Sequence, residues 1–371
     1  MAVYGAAVGV RIHERNVVWF AHIGRQFLHS AHTSPAIDSI GSAQSASGYD
    51  GQFYFFIAAD PAHARDYMRH GPDGDQAGKR FARIGYPLVA RAAALGRAGA
   101  VPYTLLVVNL LALAAGTAAL GAWLVRRRRS AWFAALYGLW PGMVFAVFRD
   151  LSEPLAYCLA ILAVLAFDRR RVWLACALLA AAALTRETVL TFPVALAVAL
   201  WLDDRRLRRP LLFVLGALGP MVVWRVFVTH WLHATTLDHT GGWKVVLPFY
   251  GIASWRPWDG QHWLIALAAD LPLLLAAAAG AWLLYRRRVV SPPVLLLLNV
   301  ALFVVFIPHN VVIDYGAAGR NVVPALLAAL YCVPWVRSRL ARRAGAFLLS
   351  PVWYLIVATA FGIAGIRLVT Q

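Results

Sequence analysis

Apolar stretches dominate the chain, and short polar or arginine-rich punctuation separates them. Val101–Val125 and His262–Tyr285 each run for twenty or more residues with few or no charges, the length a helix needs to cross a bilayer. Continued along the chain, the pattern predicts spans at 101–124, 131–148, 154–167, 172–185, 188–202, 211–229, 262–283, 292–307, 322–336 and 345–366. A partial helix at 2–10 brings the total to about 11 transmembrane helices, an all-α polytopic membrane protein. Ala2–Val10 has neither a basic leading region nor a cleavage site, so it reads as the outer half of a first helix rather than a signal peptide.

Segment 11–86 breaks this pattern and is predicted as a large first outer loop. Val17–Leu28, with Trp19 and Phe20, has apolar residues near helical spacing and is expected to lie in the membrane interface. Residues 30–48, rich in Ser, Ala, Gly and His, read as irregular. Phe53–Ile57 is expected to dip into the interface. Asp60-Pro61 is a helix start, with Asp60 as N-cap and Pro61 in the first turn, and Pro87 opens a second helix over 87–95. No internal repeat, low-complexity tract or soluble domain interrupts the pattern, so 1–371 reads as one membrane-embedded domain.

Charge adds topology. The chain is 61% hydrophobic and carries a formal net charge of +18. In a soluble protein that charge would point to nucleic acid, but Arg126–Arg129, Arg169–Arg171, Arg205–Arg209, Arg286–Arg288 and Arg337–Arg343 hold 18 of the 35 basic residues. An even number of crossings fits between successive clusters. All five therefore share one face, which the positive-inside rule makes cytoplasmic, and nucleic acid is excluded as a partner. Cys158, Cys176 and Cys332 each lie inside an apolar stretch, without metal-ligand spacing, and read as small core side chains.

Length then predicts a recess. The spans 154–167, 172–185 and 322–336 reach only about 20–23 Å, less than the hydrocarbon thickness. Arginine clusters pin their inner ends, so the shortfall falls at the outer side. The residues at these early stops are Arg149–Pro154, Thr185–Thr188 and the stretch from Asp314 to Arg320-Asn321. They are expected to wall a pocket, because irregular backbone at that depth must line a cavity or be buried in protein.

The chemistry centres on Gly48-Tyr49-Asp50-Gly51-Gln52. Two glycines permit a sharp turn around a carboxylate, and Tyr49 and Gln52 flank it as hydroxyl-binding groups. An acid fixed at the lipid–water boundary suits a general base acting on a sugar hydroxyl; the alternative is an Asx-turn in an exposed loop. Arg80 and Arg83, three apart, share a helical face and form two forks for a lipid phosphate, the alternative being headgroup snorkelling. Arg186-Glu187 lies below the outer surface, and a desolvated arginine there suits a departing phosphate. Glu153 and Arg320 join the same network from other short ends.

Other features carry less. Trp258-Asp259-Gly260-Gln261 echoes the first Asp-Gly-Gln, and His29/His32 and His230/His233 have i,i+3 spacing in loop-like sequence. Arg225 and Asp270 fall at comparable depth and are expected to form a structural intramembrane pair. No cofactor is expected, although Asp50 and Asp60 sharing a divalent cation is kept open.

The blocks Gly48–Tyr54, Ile57–Pro61 and Arg80–Pro87, followed by Leu151–Pro154, Leu184–Thr188 and Gly319-Arg320-Asn321, resemble a bacterial family of GT-C-type integral-membrane glycosyltransferases. That family is associated with cell-surface glycopolymers and is distantly similar to polyprenol-phosphate-mannose-dependent mannosyltransferases. The likeness covers essentially the whole chain. It departs from the family pattern in the shortened first helix and in Gly71–Lys79, which lacks the Pro-Ala-Tyr-Arg-Tyr form. The resemblance implies a GT-C bundle in the bacterial plasma membrane, an active site outside the cytoplasm, a lipid-phosphate-linked sugar donor and a catalytic acid matching Asp50.

The expected reaction is inverting transfer of a sugar from a polyprenyl-phosphate donor to an extracytoplasmic glycan or lipid-linked acceptor, with Asp50 taking the acceptor proton. Arg83, Arg186 and Arg320 would offset the charge growing on the phosphate. The rivals are a transporter or flippase of lipid-linked sugars, usually marked by repeated halves and midplane charges, and a non-catalytic assembly subunit.

Overall fold

In an apolar surrounding a helix is the element that satisfies its own backbone amides, and the apolar stretches fold accordingly. The computed structural model describes residues 2–14, 16–28, 35–40, 44–70, 77–233, 236, 247–254, 257–286, 289–308, 311 and 315–361. Among these, every regular element is helical, and an isolated parallel bridge between Gly24 and Ser45 is the one β feature. Four helices are long and apolar enough to cross a membrane: Ala98–Arg126, Arg208–Leu232, Gly260–Tyr285 and Gly316–Trp335. Arg339–Leu348 and Pro351–Ala360, bent by 53°, make a fifth if taken as one span. The all-helical class fits an α-helical membrane protein.

The expected count of about 11 spans is corrected, and the reason is local. The predicted span 131–148 is broken into Ala131–Ala134, Ala135–Gly138 and Pro141–Val147. Pro141 lacks the amide that would continue the helix, and Trp140 before it is extended, with ψ at 132°. Glu153–Asp168, Val172–Thr185 and Thr191–Asp204 have 16, 14 and 14 residues, about 21–24 Å, short of a hydrocarbon core of about 30 Å. The predicted span 322–336 errs the other way, since its helix reaches back to Gly316. Gly316–Trp335 is 89% buried in the protein, against 22% for Arg208–Leu232, so the first is the central rod and the second faces outward. The first helix runs Ala2–Glu14, longer than 2–10; of the stretch 345–366, residues 362–366 lie outside the described residues.

Packing connects these elements into one apolar core running from Tyr4 to Ala358. Glu153–Asp168 lies between Val101–Arg126 and Val172–Thr185, and the latter packs on Arg208–Leu232. Val323–Cys332 packs on Ser291–Val300, which also meets Leu271–Tyr285 and Thr191–Asp204.

The arginine clusters gather at one end, as the charge pattern requires. Arg127 pairs with Asp168 at 2.7 Å and Arg170 with Asp203 at 3.1 Å. Arg129 donates to the Pro334 carbonyl at 2.6 Å. Arg287 and Arg288 lie outside the described residues, but Val289 and Ser291 share a cavity wall with Arg127, Asp168 and Trp335. Glu153–Asp168 therefore runs from the acidic Glu153 end to the arginine-rich end.

Two expectations for the first loop are corrected. Val17–Leu28 forms the short turns Val17–Ala21 and Arg25–Phe27, and its aromatic residues Trp19, Phe20 and Phe27 are buried in protein rather than lying in the interface. Phe53–Ile57 belongs to the helix Gly51–Ala59, all nine of whose residues are buried. Bulk apolar composition is the same for a lipid partner and a protein partner. Asp60 behaves as expected: it accepts from the His63 amide at 3.3 Å and starts Pro61–His70. The second helix begins at Gly85 rather than Pro87.

Candidate functional site

Asp50 stands at the entry to the helix Gly51–Ala59, after a turn that Gly48 makes with φ at +71°. The loop before it is tied down: the His22 carbonyl accepts from the Tyr49 amide at 2.9 Å, and Gln52 Oε1 accepts from the Gly24 amide at 2.9 Å. Gln52 Nε2 donates to the Ser47 carbonyl at 3.4 Å. The Gln52 amide is thus committed inside the loop at 1% exposure, where it shapes the turn. The Asp50 carboxylate caps no amide of its own helix, which removes the Asx-turn alternative. It faces arginines instead.

Arg80 Nη1 lies 2.5 Å from Asp50 Oδ1, while Arg320 Nη2 at 3.3 Å and Arg83 Nη1 at 4.0 Å approach Oδ2. Arg80 also stacks over the Phe53 ring at 4.0 Å. Arg83 grips Glu187 with both arms, Nε to Oε2 at 3.0 Å and Nη2 to Oε1 at 2.5 Å. On the other side, Arg186 Nη1 and Arg320 Nη1 meet Glu153 Oε1 at 3.0 and 3.1 Å, and Arg186 Nη2 donates to Asn321 Oδ1 at 3.1 Å. Tyr49 borders the cluster, its ring beneath Arg320 at 5.3 Å and edge-on to Phe145.

Backbone close approach explains the convergence. A Cβ on Gly85 would fall 2.4 Å from Thr185 Oγ1, so the chain after Arg83 docks directly on the end of Val172–Thr185, where Arg186 and Glu187 emerge. A Cβ on Gly142 would fall 2.2 Å from the Gly319 carbonyl, which also accepts from Trp140 Nε1 at 2.6 Å. Those contacts seat Arg320. A Cβ on Gly51 would lie 2.0 Å from the Arg149 carbonyl. Gly51→Ala must therefore displace the Asp50 turn. We expect a stability loss of about 1–3 kcal/mol, read from thermal unfolding.

Depth divides the cluster. Glu153, Arg186 and Arg320 form a floor, with side chains 0%, 2% and 8% exposed, while Asp50 and Glu187 near the mouth keep 21% and 30%. On the floor, Glu153 Oε2, Arg186 Nε and Arg320 Nε have no hydrogen-bond partner among the described residues. Burial acts to raise the Asp50 pKa, but the guanidinium groups of Arg80, Arg320 and Arg83, with the Lys79 ammonium, hold it well below the ordinary carboxylate range. Glu187 is likewise held down: burial opposes ionisation, and Arg83 and then Arg186 outweigh it.

Sequence reasoning placed seven of these groups together: Asp50, Arg80, Arg83, Glu153, Arg186, Glu187 and Arg320. It mispaired Arg225, whose Nη2 lies 3.8 Å from Glu187 Oε2 and whose Nη1 donates to the Thr236 carbonyl at 3.5 Å. The expected Arg225–Asp270 pair is thus corrected: among the described residues, Glu187 is the carboxylate within Arg225's reach. From sequence Asp150 reads only as pocket wall. Its carboxylate is fully buried with neither oxygen hydrogen-bonded among the described residues, its backbone at φ +45°, and burial pushes its pKa well above the ordinary value. The signal was an acid directly beside Arg149 at a predicted early stop. Asp314 lies outside the described residues.

A shared cation at Asp50 and Asp60 is ruled out by geometry. The two residues sit at opposite ends of Gly51–Ala59, about 15 Å apart along the helix axis, beyond the reach of one ion's 2.0–2.6 Å bonds. Asp60 pairs with His63 at 2.8 Å. Asp259 of the second Asp-Gly-Gln accepts from the Gln261 and His262 amides, a helix cap. His29 and His32 lie outside the described residues. Two cavities, of about 280 and 200 Å³, lie elsewhere and include none of the cluster. Comparisons with protein-family models, curated proteins and solved structures found no match.

Proposed function

We propose that this protein is a glycosyltransferase that moves a sugar from a polyprenyl-phosphate-linked donor to a hydroxyl of an extracytoplasmic glycan or lipid-linked acceptor. The bundle would lie in the bacterial plasma membrane with the cluster on the outer side. The observation that carries this reading is the composition of the cluster. Among the described residues its ion pairs set five guanidiniums (Arg80, Arg83, Arg186, Arg225 and Arg320) against three carboxylates (Asp50, Glu153 and Glu187), a surplus of two positive charges before the Lys79 ammonium beside Asp50 is counted. It lies at the end opposite the arginine belts.

Charge accounting favours phosphate departure. A polyprenyl-phosphate sugar is a phosphodiester with one negative charge, whereas the released polyprenyl phosphate approaches two. A site with a surplus of two positive charges therefore complements the leaving state better than the bound donor, which is the condition for lowering a barrier. Asp50 takes the proton of the acceptor hydroxyl, that oxygen forms a bond to the anomeric carbon, and the carbon–oxygen bond to phosphate breaks with its electrons going to phosphate. One displacement inverts the anomeric centre. Arg186 and Arg320 lie on the floor, where desolvation strengthens their pull. No second carboxylic acid is required, unlike glycoside hydrolysis, because phosphate leaves without protonation.

A carboxylate held as low as Asp50 is a weak base until its arginines turn to the phosphate. The sign of the pH dependence follows. In the free protein Asp50 stays ionised throughout the mildly acidic range, so kcat/KM should show no acidic limb from this group down to roughly pH 5. The kcat profile, which reports the bound complex, should bend at a higher pH. The stability contributed by depressed Asp50 and Glu187 is fully present above their unfolded values near pH 4 and is lost only as pH falls further. Initial-rate profiles and thermal unfolding over that range check both.

The direct test supplies purified protein with a polyprenyl-phosphate sugar and acceptor and measures release of polyprenyl phosphate by mass spectrometry. Transport of intact donor without bond cleavage would reject the transferase reading. That rival draws on Asp270, an acid in a π-helical turn, Ala266–Asp270, within the apolar helix Gly260–Tyr285. If it is correct, Asp270→Asn abolishes flux while Asp50→Asn preserves it; on the transferase reading Asp270→Asn keeps sugar release within about threefold, the scale of a side chain outside the reacting centre.

A further inference from the structure

The arginine-rich end holds a feature that sugar transfer does not use. An apolar cavity of about 280 Å³ is walled by Leu275, Ala279, Ala329 and Val333 and roofed by Gly345 and Leu348 of the helix Arg339–Leu348. That helix starts at Ser338, whose hydroxyl accepts from the Ala341 amide, and it contains no acidic residue. Its faces are sharply divided. Ala341, Gly345 and Leu348 line the cavity together with Arg342, Leu340 and Phe347 are exposed at 78% and 45%, and Arg339 and Arg343, one turn apart, are exposed outside that lining. This is the division of a helix lying in the plane of a membrane interface.

The arginines here are of two kinds. Arg129 donates to the Pro334 carbonyl, and Arg342 to the Val336 and Arg337 carbonyls. These two satisfy acceptors left open where Gly316–Trp335 ends and hold Arg339–Leu348 in place. Arg337, Arg339 and Arg343 do none of this. All three are exposed, and none meets a carboxylate among the described residues. Three cations that meet no carboxylate among the described residues, on or just before the helix that roofs an apolar chamber, match one kind of molecule, with an anionic head joined to a hydrocarbon chain.

We propose that this chamber binds an anionic glycerophospholipid of the surrounding leaflet, with an acyl chain in the cavity and the phosphate group against Arg337, Arg339 and Arg343. The charge complement selects it over a zwitterionic lipid, whose headgroup brings a cation toward the same arginines. The inference is independent of the sugar-transfer reading and rests only on the membrane character of the helices.

The test uses full-length protein purified in mild detergent and then exposed to phosphatidylglycerol or phosphatidylcholine with identical acyl chains. Native mass spectrometry reads the retained lipid, and thermal unfolding reads its stabilising effect. The protein should retain phosphatidylglycerol in preference, and the double variant Arg339→Gln/Arg343→Gln should weaken that retention by about thirtyfold, at about fivefold per interfacial charge. Both side chains are exposed and meet no carboxylate among the described residues, so the variant should fold normally. A second variant, Ala279→Leu, fills the chamber and should reduce retention of both lipids. Equal retention of the two lipids by the unmodified protein would overturn the proposal. So would an unchanged preference in the double variant, or displacement of the retained lipid by polyprenyl phosphate in preference to phosphatidylglycerol.

Discussion

On the proposed reaction, Asp50→Asn should lower kcat for sugar transfer by about a thousandfold, within the range of about 10²–10⁴ expected for a lost general base, without raising KM for the lipid donor. Asparagine keeps the shape but cannot take the acceptor proton. It also releases Arg80, Arg83 and Arg320 from the charge that now occupies them, so the donor phosphate binds at least as tightly as before. This split separates a base from a strut. If Asp50 only balanced arginines, the substitution would lower the melting temperature and leave kcat within a few-fold of the unmodified protein. Steady-state kinetics with thermal unfolding on one sample decide between them, and unchanged kcat removes Asp50 from the reaction.

Glu153→Ala should be the most damaging single change to folding. The carboxylate is fully buried and lies between two guanidiniums at 3.0 and 3.1 Å. Removing it strands both cations where water does not reach, a penalty of about 3–5 kcal/mol. Asn321 and Asp50 remain as partners for Arg186 and Arg320, but neither restores a charge between them. Glu153→Gln retains the volume and an acceptor, so it should recover part of the loss. A shift below about 1 kcal/mol in equilibrium unfolding of the alanine variant would show that water already relieves the two guanidiniums. Activity should fall in both variants, because Arg320 reaches Asp50 from the same seat.

The site was more legible in the sequence than the bundle around it. Polar residues are conspicuous at the ends of apolar runs, and simple length arithmetic placed Glu153, Arg186 and Arg320 at one level with Asp50. Hydrophobicity alone does not tell a lipid-facing helix from one wrapped in protein, which is why Phe53–Ile57 was assigned to the interface although it is buried. Nor does it record where an apolar run breaks, as at Trp140-Pro141. Arg225 shows a third limit: depth along a helix is readable, but azimuth is not, and two acids at similar depth left the partner undetermined. Asp150 leaves only its place beside Arg149 as a hint, because its unusual property, a buried carboxylate with no hydrogen bond among the described residues, emerges only on folding.

Gly316–Trp335 acts as a tie rod. Its head carries Arg320 to the carboxylates and its foot is gripped by Arg129 at Pro334, with 89% of its length enclosed. Sliding it by a single residue, about 1.5 Å, would pull the 3.3 Å contact between Arg320 and Asp50 apart. Pinned at both ends, it is poorly suited to piston-like travel during a reaction cycle. On the proposed transfer, an acceptor must then reach Asp50 without displacing the rod that carries Arg320.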